Sequence, residues 1–125
     1  MAKKNTPEFF YIVMVQLSIP PKKGMVIKMA NINLSLQVIP NVADELVYPV
    51  VDKVIAMIDQ SGLTYEVGPM ETTIEGELDE LMEIVKKAQD ICVKEGATRV
   101  ISMVKIDYKP EGVTINEKVG KYRTK

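Results

Sequence analysis

Histidine and tryptophan are absent from the 125 residues, and cysteine occurs once, at Cys92. Without histidine there can be no Ser-His-Asp or Cys-His catalytic arrangement, no His-ligated zinc and no imidazole base working near neutral pH. One cysteine cannot close an internal disulfide. Small secreted domains usually carry paired cysteines, so the composition points to a reduced, cytoplasmic protein. Aromatic residues make up only 6% of the chain, which leaves few rings to stack on nucleic-acid bases. No apolar run is long enough for a bilayer. Phe9 to Ile19 is almost unbroken, but a spanning helix needs about twenty such residues, and a signal peptide would end in small residues where this run meets Pro20-Pro21-Lys22-Lys23. No membrane association is expected. The glycines at 62, 68 and 76 are spaced for turns and lack the strand-to-helix fingerprint that cradles phosphate.

What is present is enough for one globular unit. The chain is 46% hydrophobic and 26% charged, a balance that supports a single core. Its formal net charge of −1 is unevenly spread: before Met29 there are five lysines and one acid, and from Met29 onward eleven basic and sixteen acidic residues. An acidic body argues against a nucleic-acid partner, whose footprint is a basic face. Residues 1–28 are read as an N-terminal extension and 29–125 as the domain. The extension is an extra strand, a disordered arm, or a stretch ahead of the true start. Lys22-Lys23-Gly24 would be encoded by a purine-rich stretch resembling a ribosome-binding site, with Met29 following.

From Met29 on, the punctuation is regular. Ile32, Leu34, Leu36 and Val38 alternate with Asn33, Ser35 and Gln37, which predicts a strand with one apolar and one polar face, ended by Pro40. Val47, Val51, Val54, Ile55 and Ile58 recur at helical spacing with Val50 and Met57 flanking, and Gly62 stops the helix. Pro49 must then lie near the first turn. Leu63–Val67 and Glu71–Gly76 predict a hairpin about Gly68-Pro69. Leu78, Leu81, Met82, Val85, Ala88 and Cys92 predict a second helix ended by Gly96, and Thr98 to Asp107 a last strand. The order β-α-β-β-α-β is that of the α+β ferredoxin-like sandwich, two helices on one face of an antiparallel sheet. Thr114-Ile115-Asn116-Glu117 matches a capping box, and Ile115, Val119 and Tyr122 fall on one stripe, predicting a short C-terminal helix. Too short to stand alone, it must dock on the body or on a neighbouring subunit.

In this fold the helices leave one sheet face open. That face is expected to carry Asn33, Ser35, Gln37, Glu66, Thr73, Glu75, Ile101, Met103 and Lys105, a polar and apolar mixture suited to an interface or a pocket. Glu66 and Glu75 could divide acid and base roles. One glutamate on each of two neighbouring strands is nonetheless ordinary, and no nucleophile, metal cluster or phosphate loop accompanies them. No cofactor is implied. Cys92 reads as a small buried hydrophobe on its helix stripe.

The stretch Tyr65-Glu66-Val67-Gly68-Pro69-Met70-Glu71-Thr72-Thr73-Ile74-Glu75-Gly76-Glu77 resembles the thiamine-binding protein-like family. Leu34 to Pro40, Arg99-Val100-Ile101-Ser102 and Thr114 to Val119 resemble it in the same order, so the resemblance covers Ala30 to about Arg123. It implies sheet-to-sheet dimers, often paired into tetramers, and binding of thiamine or its hydroxymethylpyrimidine half by some members, and it does not imply catalysis. An aminopyrimidine needs a donor and an acceptor side by side and a flat apolar clamp, and a thiazolium ring favours a nearby carboxylate. Thr72, Thr73, Ser35 and Gln37 are the candidates for the pyrimidine edge. Glu66 or Glu75 would accept from the amino group or balance the cation, and Met70 or Met103 would cover a ring. Two other readings stand beside this one: a ligand-free structural or regulatory oligomer using the same face, and an enzyme with Glu75 as base.

Overall fold

The computed structural model describes residues 30–123, so the readings of residues 1–28 and of a start at Met29 lie outside the described residues. Strand β1 runs Ile32–Pro40, helix α1 Asp44–Gln60, β2 Thr64–Val67, β3 Thr72–Gly76, α2 Leu78–Lys94, β4 Val100–Asp107 and α3 Ile115–Val119, followed by a 3-10 turn at Gly120–Tyr122. The strands pair in the order β2-β3-β1-β4, antiparallel throughout. This is the ferredoxin-like sandwich that the sequence predicts.

The alternation in β1 does what period two demands. Ile32, Leu34, Leu36 and Val38 are buried beneath the helices, while the intervening residues take the other face. Each such side chain contributes about 1.5–3 kcal/mol by leaving water. In α1 the buried line is Val50, Val54 and Ile58, with Val51 and Met57 packed beside it. Val50, expected at the flank, is therefore central, and Val47 and Ile55 lie half-buried at the border. In α2 the line is Leu81, Ile84, Val85, Ala88 and Cys92. Met82, expected inside, is exposed because it sits about 100° round the helix from Leu81, and Ile84 takes the place beside Val85.

Helix starts follow their acids. Asp44 and Glu45 occupy the first turn of α1, and the Glu77 N–H donates to Glu80 Oε1 at 3.4 Å ahead of α2. Pro49 is the sixth residue of α1, deeper than the first turn, so the helix forgoes the bond that residue 49 would have donated to the Glu45 carbonyl. Gly76 closes β3 where a Cβ would stand 3.0 Å from Leu63 Cδ1 and 3.4 Å from Leu81 Cδ2. Only glycine lets sheet and helix approach so closely without displacing a leucine.

Cys92 is fully buried, and desolvation pushes its thiol up from the usual range. That places it in the core rather than in reactive chemistry. Tyr65 O–H donates to Asp59 Oδ1 at 2.8 Å, joining β2 to the end of α1. This bond, with desolvation and the Asp59 charge behind it, raises the Tyr65 phenol above its usual value. A raised phenol stabilises the fold below about pH 10, and the contribution is lost as pH climbs through the folded pKa. Urea midpoints should therefore fall more steeply between about pH 9 and pH 11 in the parent than in Tyr65→Phe. Parallel curves would show that the bond carries no linkage.

Candidate functional site

The strand registers lay one row of side chains straight across the open face. Glu66 in β2 stands opposite Thr73 in β3, Thr73 opposite Ser35 in β1, and Ser35 opposite Lys105 in β4. Three interstrand steps of about 4.8 Å make this row roughly 14 Å long. It has a carboxylate at one end, an ammonium at the other and two hydroxyls between. All four residues line a cleft of about 310 Å³, at the lower end of the range for small-molecule sites.

The far wall of the cleft is the C-terminal segment, which the sequence left free to dock on the body or on another subunit. It docks on the body. Gly112, at φ 103°, turns the chain back so that the Val113 N–H donates to the Asn31 carbonyl at 3.0 Å. The capping box then forms: the Glu117 N–H donates to Thr114 Oγ1 at 3.1 Å, and the Thr114 N–H to Glu117 Oε1 at 2.6 Å. Ile115 is buried, and with Lys118 and Val119 it faces the cleft. Two ion pairs tie the segment to the sheet, Lys118 to Asp107 at 2.7 Å and Arg123 to Glu66, whose Oε1 accepts from Arg123 Nε at 2.8 Å. Both are largely exposed, so each stabilises by no more than about 1 kcal/mol.

The sequence candidates divide between two faces. Ser35, Glu66 and Thr73 meet in the cleft. Gln37 and Met103 face each other across β1 and β4 one step beyond it, on the same side of the sheet. Glu75 is also on that side, but its Oε1 accepts the Ile115 N–H at 2.7 Å, which makes it an anchor of α3. Thr72 is a correction. It is buried and shares its face with Ile74, because neighbours in a strand point to opposite sides. Met70 is likewise remote from the row. It is exposed in the hairpin turn and, with Thr72, Val47 and Tyr48, lines a separate groove between that turn and α1.

Eight of the eleven residues that line the cleft were not among the candidates, and Lys105 and Asn33 are two of them. Lys105 reaches the site through its register with Ser35, and the alternation already placed it on the open face. Asn33 lines the same cleft and is buried, with Nδ2 donating to the Val113 carbonyl at 3.3 Å. The period-two pattern gave its face, but nothing local to β1 shows that residue 113 closes over it. Among the described residues no group of acids and cysteine is placed to hold a metal ion, and no helix is long and apolar enough to cross a membrane.

Comparison with known proteins gives a consistent result. A family model described as thiamine-binding protein matches residues 34–123. An uncharacterised-family protein of Clostridium perfringens is 63% identical over 95 residues, 76% of this chain and the whole of that protein. A Bacillus cereus domain of unknown function has a TM-score of 0.71 at 53% identity, covering 76% of this chain and 92% of its own. A Thermotoga maritima structure, named as a candidate thiamine biosynthesis or salvage protein, has a TM-score of 0.69 at 42% identity, covering 74% of this chain and 99% of its own. The model match spans strand β1 to the docked C-terminal segment, the parts that build the cleft, and the chain belongs to the thiamine-binding protein family.

Proposed function

We propose that this chain is a cytoplasmic, homo-oligomeric protein that binds thiamine or a related hydroxymethylpyrimidine in the open-face cleft and catalyses nothing there. The observation that carries the reading is the row Glu66, Thr73, Ser35 and Lys105 across a cleft of small-molecule size. Each hydroxyl both donates and accepts, so Ser35 and Thr73 together satisfy the donor and acceptor edge of an aminopyrimidine. The charge gradient sets the orientation. A thiazolium cation is attracted toward Glu71, and toward Glu66 to the extent that Arg123 leaves its charge uncompensated, and is repelled by Lys105. Ile115 and Val119 supply apolar cover in place of an aromatic clamp, which favours modest affinity.

Self-association has its own support. Ile39 and Ile101 are cross-strand partners on the open face, Met103 adjoins them, and all three are exposed large apolar side chains. Packing this end of the face against a second copy would bury them and leave the polar end for ligand. Light scattering at micromolar concentration should show a dimer or tetramer, and a monomer would refute assembly. The ligand-free oligomer is the rival reading that this apolar end favours.

Calorimetric titration of the full chain separates the two. Saturable heat is expected with both thiamine and hydroxymethylpyrimidine, and Glu66→Gln should weaken the cation several-fold while sparing the neutral pyrimidine. Silence for both compounds at millimolar concentration would leave the ligand-free oligomer standing.

A further inference from the structure

One polar atom in the cleft wall is unexplained by the fold. Asn33 is 3% exposed, and its Oδ1 is enclosed with no hydrogen-bond partner among the described residues. The amide orientation is fixed, because Nδ2 must face the Val113 carbonyl to donate to it, and the reversed amide would set oxygen against oxygen. A buried acceptor without a donor is among the costlier arrangements in a protein interior. Buried polar atoms left this way call for a reason, such as a ligand or water that completes them.

We propose that Asn33 Oδ1 is the acceptor that selects the ligand, taking a hydrogen bond from the exocyclic amino group of a bound aminopyrimidine. The inference rests on the binding function proposed above and adds the chemical group that is read. Three placements support it. Asn33 lies two residues before Ser35 on the same face of β1, so a ring bonded to the hydroxyl row lies beside it. Its cross-strand partners are Glu75 and Asp107; Asp107 is paired with Lys118, and the carboxylate of Glu75 favours a donor over another acceptor. Its cover is the segment from Val113 to Val119, whose helix α3 is only five residues long. Oδ1 exposes no surface with α3 docked, so the amino group reaches it as α3 yields.

A site built to pair with an N–H rejects an analogue that offers an acceptor there, because two acceptors then face each other. The full chain is titrated with 4-amino-5-hydroxymethyl-2-methylpyrimidine, with its 4-oxo counterpart and with thiamine. The same titrations are followed by the Asn33 side-chain amide resonance. The parent should prefer the amino compound over the oxo compound by tenfold or more and should shift the Asn33 resonance. Asn33→Leu, which removes the acceptor, should erase that preference. A merely structural Asn33 would lower both affinities together and leave their ratio unchanged. Preference retained in Asn33→Leu overturns the proposal, and so does an Asn33 resonance unmoved by any aminopyrimidine. If thiamine fails to bind while the free aminopyrimidine binds and shifts Asn33, the thiamine reading falls and the assignment of Asn33 stands. Should Asn33→Leu fold poorly through loss of the Val113 contact, the resonance shift in the parent decides alone.

Discussion

Leu34→Ala is expected to destabilise the domain by about 3–5 kcal/mol, a large part of the 5–15 kcal/mol typical of a whole domain. Leu34 is fully buried at the middle of the central strand, with Ile74 of β3 and Ile106 of β4 as its cross-strand partners. Truncation removes the transfer free energy of the side chain and leaves a cavity that two flanking strands hold open. The urea midpoint should fall with little change in slope, because the folded surface is the same. Val93→Ala, exposed on α2, should change stability by no more than about 0.5 kcal/mol. Similar losses in the two variants would mean that burial of Leu34 contributes no more than an exposed position does.

Ile115→Asp is expected to release the C-terminal segment while the sandwich stays folded. Ile115 is 3% exposed, and its N–H is held by Glu75. A carboxylate there cannot stay buried without a partner, and beside Glu75 it meets a like charge, so undocking is the cheaper outcome. The amides of Ile115 and Glu117 should then exchange with solvent about a hundredfold faster, those of Leu34 and Ile74 should stay protected, and ligand affinity should fall with the loss of the cleft wall. Global unfolding instead would show that the segment belongs to the core. Loss of assembly with the segment still docked would place Ile115 at a subunit interface.

These two residues also mark how far the sequence could be read. Strand β1 was legible because period two is strict and both of its faces have consistent chemistry from Ile32 to Val38. Helix lines were legible to within one residue. Val50 and Ile84 became central because the tilt of a helix on its sheet decides which of two adjacent apolar positions turns inward. Thr72 and Thr73 were ambiguous by type, since both are hydroxyls. Ile74, as the apolar centre of β3, already implied that Thr72 shares its buried face. The roles of Glu75, Lys105 and Asn33 were beyond local pattern. Each depends on a partner far along the chain: Ile115 for Glu75, Ser35 for Lys105 and Val113 for Asn33. Register and tail docking are set by tertiary packing, and no window of ten residues contains them.

The central claim is that the hydroxyl pair at the middle of the row holds the pyrimidine, and calorimetry on Ser35→Ala, Thr73→Val tests it directly. Both side chains are half-buried at strand positions opposite each other, so the double variant should melt close to the parent. Two lost neutral hydrogen bonds correspond to roughly 1–3 kcal/mol, or about ten- to a hundredfold weaker binding of thiamine and hydroxymethylpyrimidine alike. That loss, in a variant still assembled, is the predicted result. Unchanged affinity for both compounds would contradict it and move the ligand off the open face.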